Sequence, residues 1–149
     1  MWSISLDEFN AGNLASALVE DYRANVELIR ALGKTYGFQC VFYWQPVLFT
    51  KKMLSPNERF FSLLFSGSIP LPGFWFTFVD ECLPEIFAEV RKALQPLSES
   101  CPSFHDLSRI LDDQKTNAFI DFVHTTEESN SLIAERIYQD ISKLILLEN

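Results

Sequence analysis

The sequence predicts an α/β domain with parallel strands, and two local patterns carry that prediction. A helical stretch with one apolar face runs directly into FQCVFYWQP, whose apolar residues at 38–44 fall on both parities, as in a strand covered on both faces. Near the C-terminus AFIDFV, residues 118–123, repeats the doubly apolar pattern, and a second amphipathic stretch follows it. A helix joined to a doubly covered strand is half of a repeating α/β unit.

Taken in order, residues 14–36 place Leu18, Tyr22, Val26, Ile29 and Leu32 at helical spacing, with Gly37 available to end the helix. The strand at 38–44 is stopped by Pro46. A helical insertion at 49–103, a candidate lid, then separates the two units. Within it Ser55-Pro56-Asn57-Glu58 is a capping box with Pro56 at the first helical position, so a helix runs from there to about residue 65. The glycines and prolines of 67–73 break it, and residues 84–94 form a further amphipathic helix. Pro96, Ser98, Ser100 and Pro102 mark a loop leading to FHDLSRIL, read as a short helix. After the strand at 118–123, the last helix carries Leu132, Ile133, Ile137, Ile141, Leu144 and Ile145 on one face, with Thr125 and Glu128 as its capping box.

At 149 residues and 48% hydrophobic, the chain suits one domain. Its 20 acidic against 12 basic residues, a net charge of -8, set nucleic-acid partners aside. Cys40, Cys82 and Cys101 contain no CxxC pair and are odd in number, so no disulfide framework or thiolate metal site is indicated, and no cofactor is implied. The N-terminus MWSISLDEFN lacks a basic flank and apolar core, which points to the cytoplasm if Met1 is the natural start. Residues 60–79 are uncharged and long enough for a membrane span, but Gly67, Pro70, Pro72 and Gly73 interrupt them, so no span is expected.

The chemistry-bearing candidates are Asp121 and His124, at the end of the second apolar run. In open α/β sheets ligands bind outside the carboxyl ends of the strands. A carboxylate bonded to Nδ1 of a histidine leaves Nε2 free to take a proton, the supporting half of a serine-type triad. A helix N-terminus close behind favours the neutral, basic ring. The competing reading is a polar pair that satisfies loop amides.

The stretch FIDFVHTTEESNSLIAERI resembles the last block of the SGNH/GDSL hydrolases, in which Asp-x-x-His, a polar turn and Gly-Asn precede a helix beginning Ile-Ala. Asp121, His124, Asn130, Ile133 and Ala134 match that pattern, with Ser129 in place of the glycine. DYRANVELIRALGKTYGFQCVFYWQPVL and FHDLSRILDD are similar to the family's preceding segments, so the likeness spans about two thirds of the chain. It implies a three-layer α/β/α, flavodoxin-like fold, with His124 as general base and Asp121 as its orienter. Two buried strands make no stable parallel sheet without neighbours. The family's earlier strands would supply these.

The family's Gly-Asp-Ser nucleophile block has no counterpart here, and AGNLAS offers adjacent Gly12 and Asn13 rather than Gly-x-Asn. Ser68, after Gly67, lacks the acidic neighbour and lies beyond the first strand. The resemblance therefore implies a single partial domain, the C-terminal half of a serine ester hydrolase, inactive without its N-terminal half. Its substrate class is a small-molecule ester, apolar if the aromatic insertion forms the acyl pocket. Tyr43, Trp44 and Gln45 border the same strand end without an assigned role, and His105 beside Asp106 reads as a surface or loop-capping histidine. The alternative is a non-catalytic α/β subunit that completes its sheet as a homo-oligomer or with another chain.

Overall fold

The computed structural model describes residues 10–65 and 78–146. Asn10 opens helix α1 (Ala11–Tyr36) by accepting the Asn13 amide at 2.8 Å, replacing one bond that a helix start lacks. Gly37 closes it in the left-handed region at φ 74°, so its own amide and that of Phe38 both reach the Gly33 carbonyl at 2.8 and 3.0 Å. The buried face is Ala11, Ala15, Val19, Val26 and Gly33, with Tyr22 half-buried beside it. Leu18, Ile29 and Leu32, expected inside, are exposed. Both faces are apolar, and the one with small residues is the one that packs closely.

The first strand is shorter than expected. Only β1 (Phe42–Trp44) has strand geometry, and it pairs in parallel with β2 (Phe104–Asp106), Phe42 opposite Phe104 and Trp44 opposite Asp106. The partner strand thus comes from FHD, which with the following stretch through Leu107, Ile110 and Leu111 is read above as a short helix. Those three residues instead sit on successive turns, closed by the Ile110 amide on the Leu107 carbonyl and the Gln114 amide on that of Leu111. Residues 118–123 form no strand, and the only pairing there is one isolated bridge between Phe119 and Thr125.

Between the strands lie a 3-10 turn (Leu48–Thr50), α2 (Pro56–Phe65), α3 (Phe78–Ala93) and α4 (Gln95–Ser100), and α5 (Glu127–Leu146) follows β2. The capping box at α2 forms as expected, the Glu58 amide donating to Ser55 Oγ at 3.2 Å and the Ser55 amide to Glu58 Oε2 at 2.8 Å. Two boundaries differ. Pro84 lies inside α3 rather than at its start, and α4 occupies the stretch read as a loop, with Pro96 in its first turn. The break expected at 67–73 and Ser68 lie outside the described residues, as does the Ile145 side chain.

The molecule is mixed α/β and mostly helical, around a small parallel sheet. Alternation along the strands divides its contacts. Phe42, Trp44 and Phe104 join Val19 and Val26 of α1 and Ile86 and Val90 of α3 in one core, where Tyr22 meets Trp44 edge-on at 5.2 Å. Tyr43 and His105 turn the other way, stack at 5.3 Å, and meet α5 where His105 Nδ1 lies 3.6 Å from Asp140. His105 is therefore a half-buried strand residue, not a surface one. A second core gathers Leu48, Leu111, Ala118 and Phe119. Among the described residues no helix is long and apolar enough to cross a membrane.

Because an L side chain in the left-handed region costs about 1–2 kcal/mol, Gly37→Ala should lower unfolding stability by that amount in a urea titration. An unchanged midpoint would show that the α1 terminus does not need the turn.

Candidate functional site

The apolar residues of AFIDFV fold into a closed loop because its polar centre takes the loop's own amides. The Asp121 Oδ1 atom accepts the amides of Val123 and His124 at 2.8 and 2.7 Å, which turns the chain back at once. The Ile120 amide then reaches the His124 carbonyl at 2.8 Å, and the Thr126 amide reaches that of Ala118 at 2.9 Å. Phe119 is buried and Phe122 half-buried, while Ile120 faces solvent. A run that is apolar on both parities here means a loop with aromatic anchors.

The turn leaves the second oxygen of Asp121 available. Asp121 Oδ2 lies 2.6 Å from Nδ1 of His124. A carboxylate only accepts, so Nδ1 carries a proton in this contact, and in the neutral form of the ring Nε2 keeps its lone pair. Partial burial pushes the Asp121 carboxyl up, but the His124 amide, the imidazole and the Val123 amide outweigh it and hold the group below its ordinary range. The His124 side chain is 74% exposed. Among the described residues no hydroxyl or thiol is hydrogen-bonded to Nε2. Oδ1 thus holds the loop and Oδ2 the ring.

Behind the loop, α5 begins one residue later than its expected cap. Thr126 Oγ1 accepts the Ser129 amide at 3.3 Å, and Thr125 instead donates to Asn130 Oδ1 at 2.6 Å. Ser129, standing where the resemblance has glycine, is buried and shares a 3.1 Å hydroxyl contact with Thr126. A cavity of about 320 Å³ lies beside the loop, at the carboxyl end of β1, lined by Tyr43, Gln45, Pro46, Val123, Thr125 and Ile133 among others. Tyr43 and Gln45 do border this cleft, while Trp44 packs on the opposite face of the sheet. Burial first, and then the Asp140 charge, push the Tyr43 phenol up. Among the described residues no three His, Cys, Asp or Glu side chains form a metal-ligating group.

Sequence reasoning missed what anchors the loop. The Glu58 carboxylate is 0% exposed and Lys51 6%, and their charged ends meet at 2.7 and 2.9 Å. Glu58 Oε1 also accepts the Ala118 and Phe119 amides at 2.7 and 3.2 Å, and Lys51 donates to the Thr116 carbonyl at 3.2 Å. Ser55 Oγ bonds Asn117 Oδ1 at 2.5 Å. On the other flank the Leu48 amide donates to the Phe122 carbonyl at 2.9 Å. Burial pushes the Glu58 carboxyl up, yet Lys51 and the amides of Ser55 and Ala118 prevail and hold it below its ordinary value of 4.5. The capping box was the visible signal for Glu58. Nothing local marked Lys51 as its partner.

Comparison with protein-family models, with curated proteins and with solved structures returns no match.

Lys51→Met leaves a buried carboxylate without its cation and should cost about 3–5 kcal/mol. Glu58→Leu should cost more, since it strands the ammonium and three backbone amides, and the double substitution should not recover the loss. Recovery in chemical denaturation would contradict the anchoring role. Because the folded Glu58 value is depressed, its contribution is complete above about pH 4.5 and lost as the pH falls further. Glu58→Gln should flatten that acid limb, and an identical limb would assign it to other carboxylates.

Proposed function

We propose that the chain is the C-terminal part of a serine ester hydrolase of the SGNH/GDSL type, inactive alone, in which His124 is the general base and Asp121 its orienter. The observation that carries the proposal is the 2.6 Å contact of Asp121 Oδ2 with His124 Nδ1, which leaves an exposed Nε2 free. In the complete enzyme Nε2 would take the proton of a serine hydroxyl as it attacks the ester carbonyl. The same nitrogen would then return the proton to the departing alkoxide, and water would release the acyl group by the reverse sequence. Asp121 keeps the tautomer and stabilises the imidazolium between these steps.

The arrangement of helices favours the finer fold as well. Contacts from α1 and α3 on one side of the sheet and from α5 on the other suit a three-layer α/β/α domain. The sheet edges lie where further strands would complete it. The site stands at the carboxyl end of β1, where such folds bind ligands, and the adjacent cavity suits a small ester. Among the described residues, none of the insertion at 49–103 lines that cavity. Its helices α3 and α4 contribute to the core.

Reading the coding DNA ahead of Met1 is the first test. An in-frame Gly-Asp-Ser block is expected, and a stop codon close ahead of Met1 would count against the proposal. The product extended through that block should hydrolyse p-nitrophenyl esters, with kcat lowered about 10⁴-fold or more in His124→Ala. Undiminished activity in that variant removes the role given to His124.

A further inference from the structure

A separate cavity, of about 460 Å³, is lined among the described residues by Lys52, Met53, Leu54, Arg59 and Lys115. Three of these side chains are cationic and exposed, and among the described residues no carboxylate lines it. In a chain of net charge -8 this grouping runs against the overall balance. The carboxylates nearby in the chain are engaged elsewhere. Glu58 holds Lys51, Asp112 takes the Lys52 amide on one oxygen and the Arg109 guanidinium on the other, and Asp113 does not line the cavity. Among the described residues Lys52, Arg59 and Lys115 form no ion pair.

The backbone beneath the three cations is fixed. The Lys52 amide donates to Asp112 at 2.9 Å, Arg59 follows the buried Glu58 in the first turn of α2, and Lys115 precedes the Thr116 carbonyl that Lys51 binds. Arg59 Nε donates to the Leu54 carbonyl at 3.3 Å, which orients the guanidinium and leaves its two terminal nitrogens to point at a ligand. The arrangement has an electrostatic cost. Like charges share one cleft, and a cation in the first turn of a helix opposes its dipole. A bound anion offsets both.

We propose that this cavity binds a small phosphorylated molecule, its phosphate held by Arg59, Lys52 and Lys115 and its uncharged part resting on Met53 and Leu54. A guanidinium with both terminal nitrogens free suits a phosphate bidentately, and the two ammonium groups supply the remaining charge. Three cations match a dianion or larger better than a single carboxylate. The volume is that of a small-molecule cleft, while the net charge of -8 repels extended polyanions such as nucleic acid or an anionic membrane. The site does not rest on the hydrolase reading.

Titration of the 149-residue chain with inorganic pyrophosphate tests it. Calorimetry should show one site, and about 10 mM pyrophosphate should raise Tm at least about 3 °C above sodium chloride at matched ionic strength. Arg59→Gln and Lys115→Gln should each weaken binding about 10-fold or more while moving the ligand-free Tm by less than about 2 °C. Lys52→Gln carries the same expectation should Arg59→Gln not fold. Lys34→Gln, which removes an equal charge from the last turn of α1, should bind as the unsubstituted chain does. An equal Tm rise in sodium chloride reduces the effect to screening and overturns the proposal, as does undiminished binding in the cavity variants or an equal loss in Lys34→Gln. Citrate binding as tightly as pyrophosphate overturns the phosphate assignment. Cosedimentation with phosphatidylserine vesicles that Arg59→Gln abolishes makes the occupant a membrane surface and also overturns it.

Discussion

The Glu58 carboxylate accepts five hydrogen bonds while sealed from solvent, two from the Lys51 ammonium and three from the amides of Ser55, Ala118 and Phe119. Burying one charge without its partner is costly, so Lys51 and Glu58 hold each other in a single arrangement. That arrangement joins three separate pieces of chain: the turn after β1, the first turn of α2 and the entry to the Asp121 loop. A carboxylate that accepts both Ala118 and Phe119 fixes where the loop starts, and the Leu48 amide on the Phe122 carbonyl fixes its far side. Asp121 closes the remaining span with its own amide bonds. The ring of His124 is therefore held by a carboxylate that is itself held.

This order of dependence explains which features were legible in the sequence. The capping box of α2, the end of α1 at Gly37 and the meeting of Asp121 with His124 all rest on residues close in the chain, and each was readable there. Of the strands, the stretch holding β1 was readable and β2 was not. FHDLSRIL, read as a short helix, divides into the strand FHD, set by pairing with a distant β1, and the successive turns that follow it. AFIDFV was apolar on both parities because Phe119 and Phe122 anchor a loop in the second core, a purpose that sequence periodicity does not distinguish from a buried strand. Lys51 was invisible for the same reason, since its partner and its acceptor at Thr116 are chosen by the fold. On α1 two adjoining apolar faces competed, and closeness of packing favoured Ala11, Ala15 and Gly33 over the leucines.

Nitrogen-15 NMR of His124 in the isolated chain addresses the pair directly, because the two ring nitrogens report which one carries the proton. At a pH where the ring is neutral, the proton should reside on Nδ1, bonded to Asp121, with Nε2 showing the shift of an unprotonated nitrogen. In Asp121→Ala that preference should vanish. A neutral His124 protonated on Nε2 in the unsubstituted chain would contradict the base and orienter assignment.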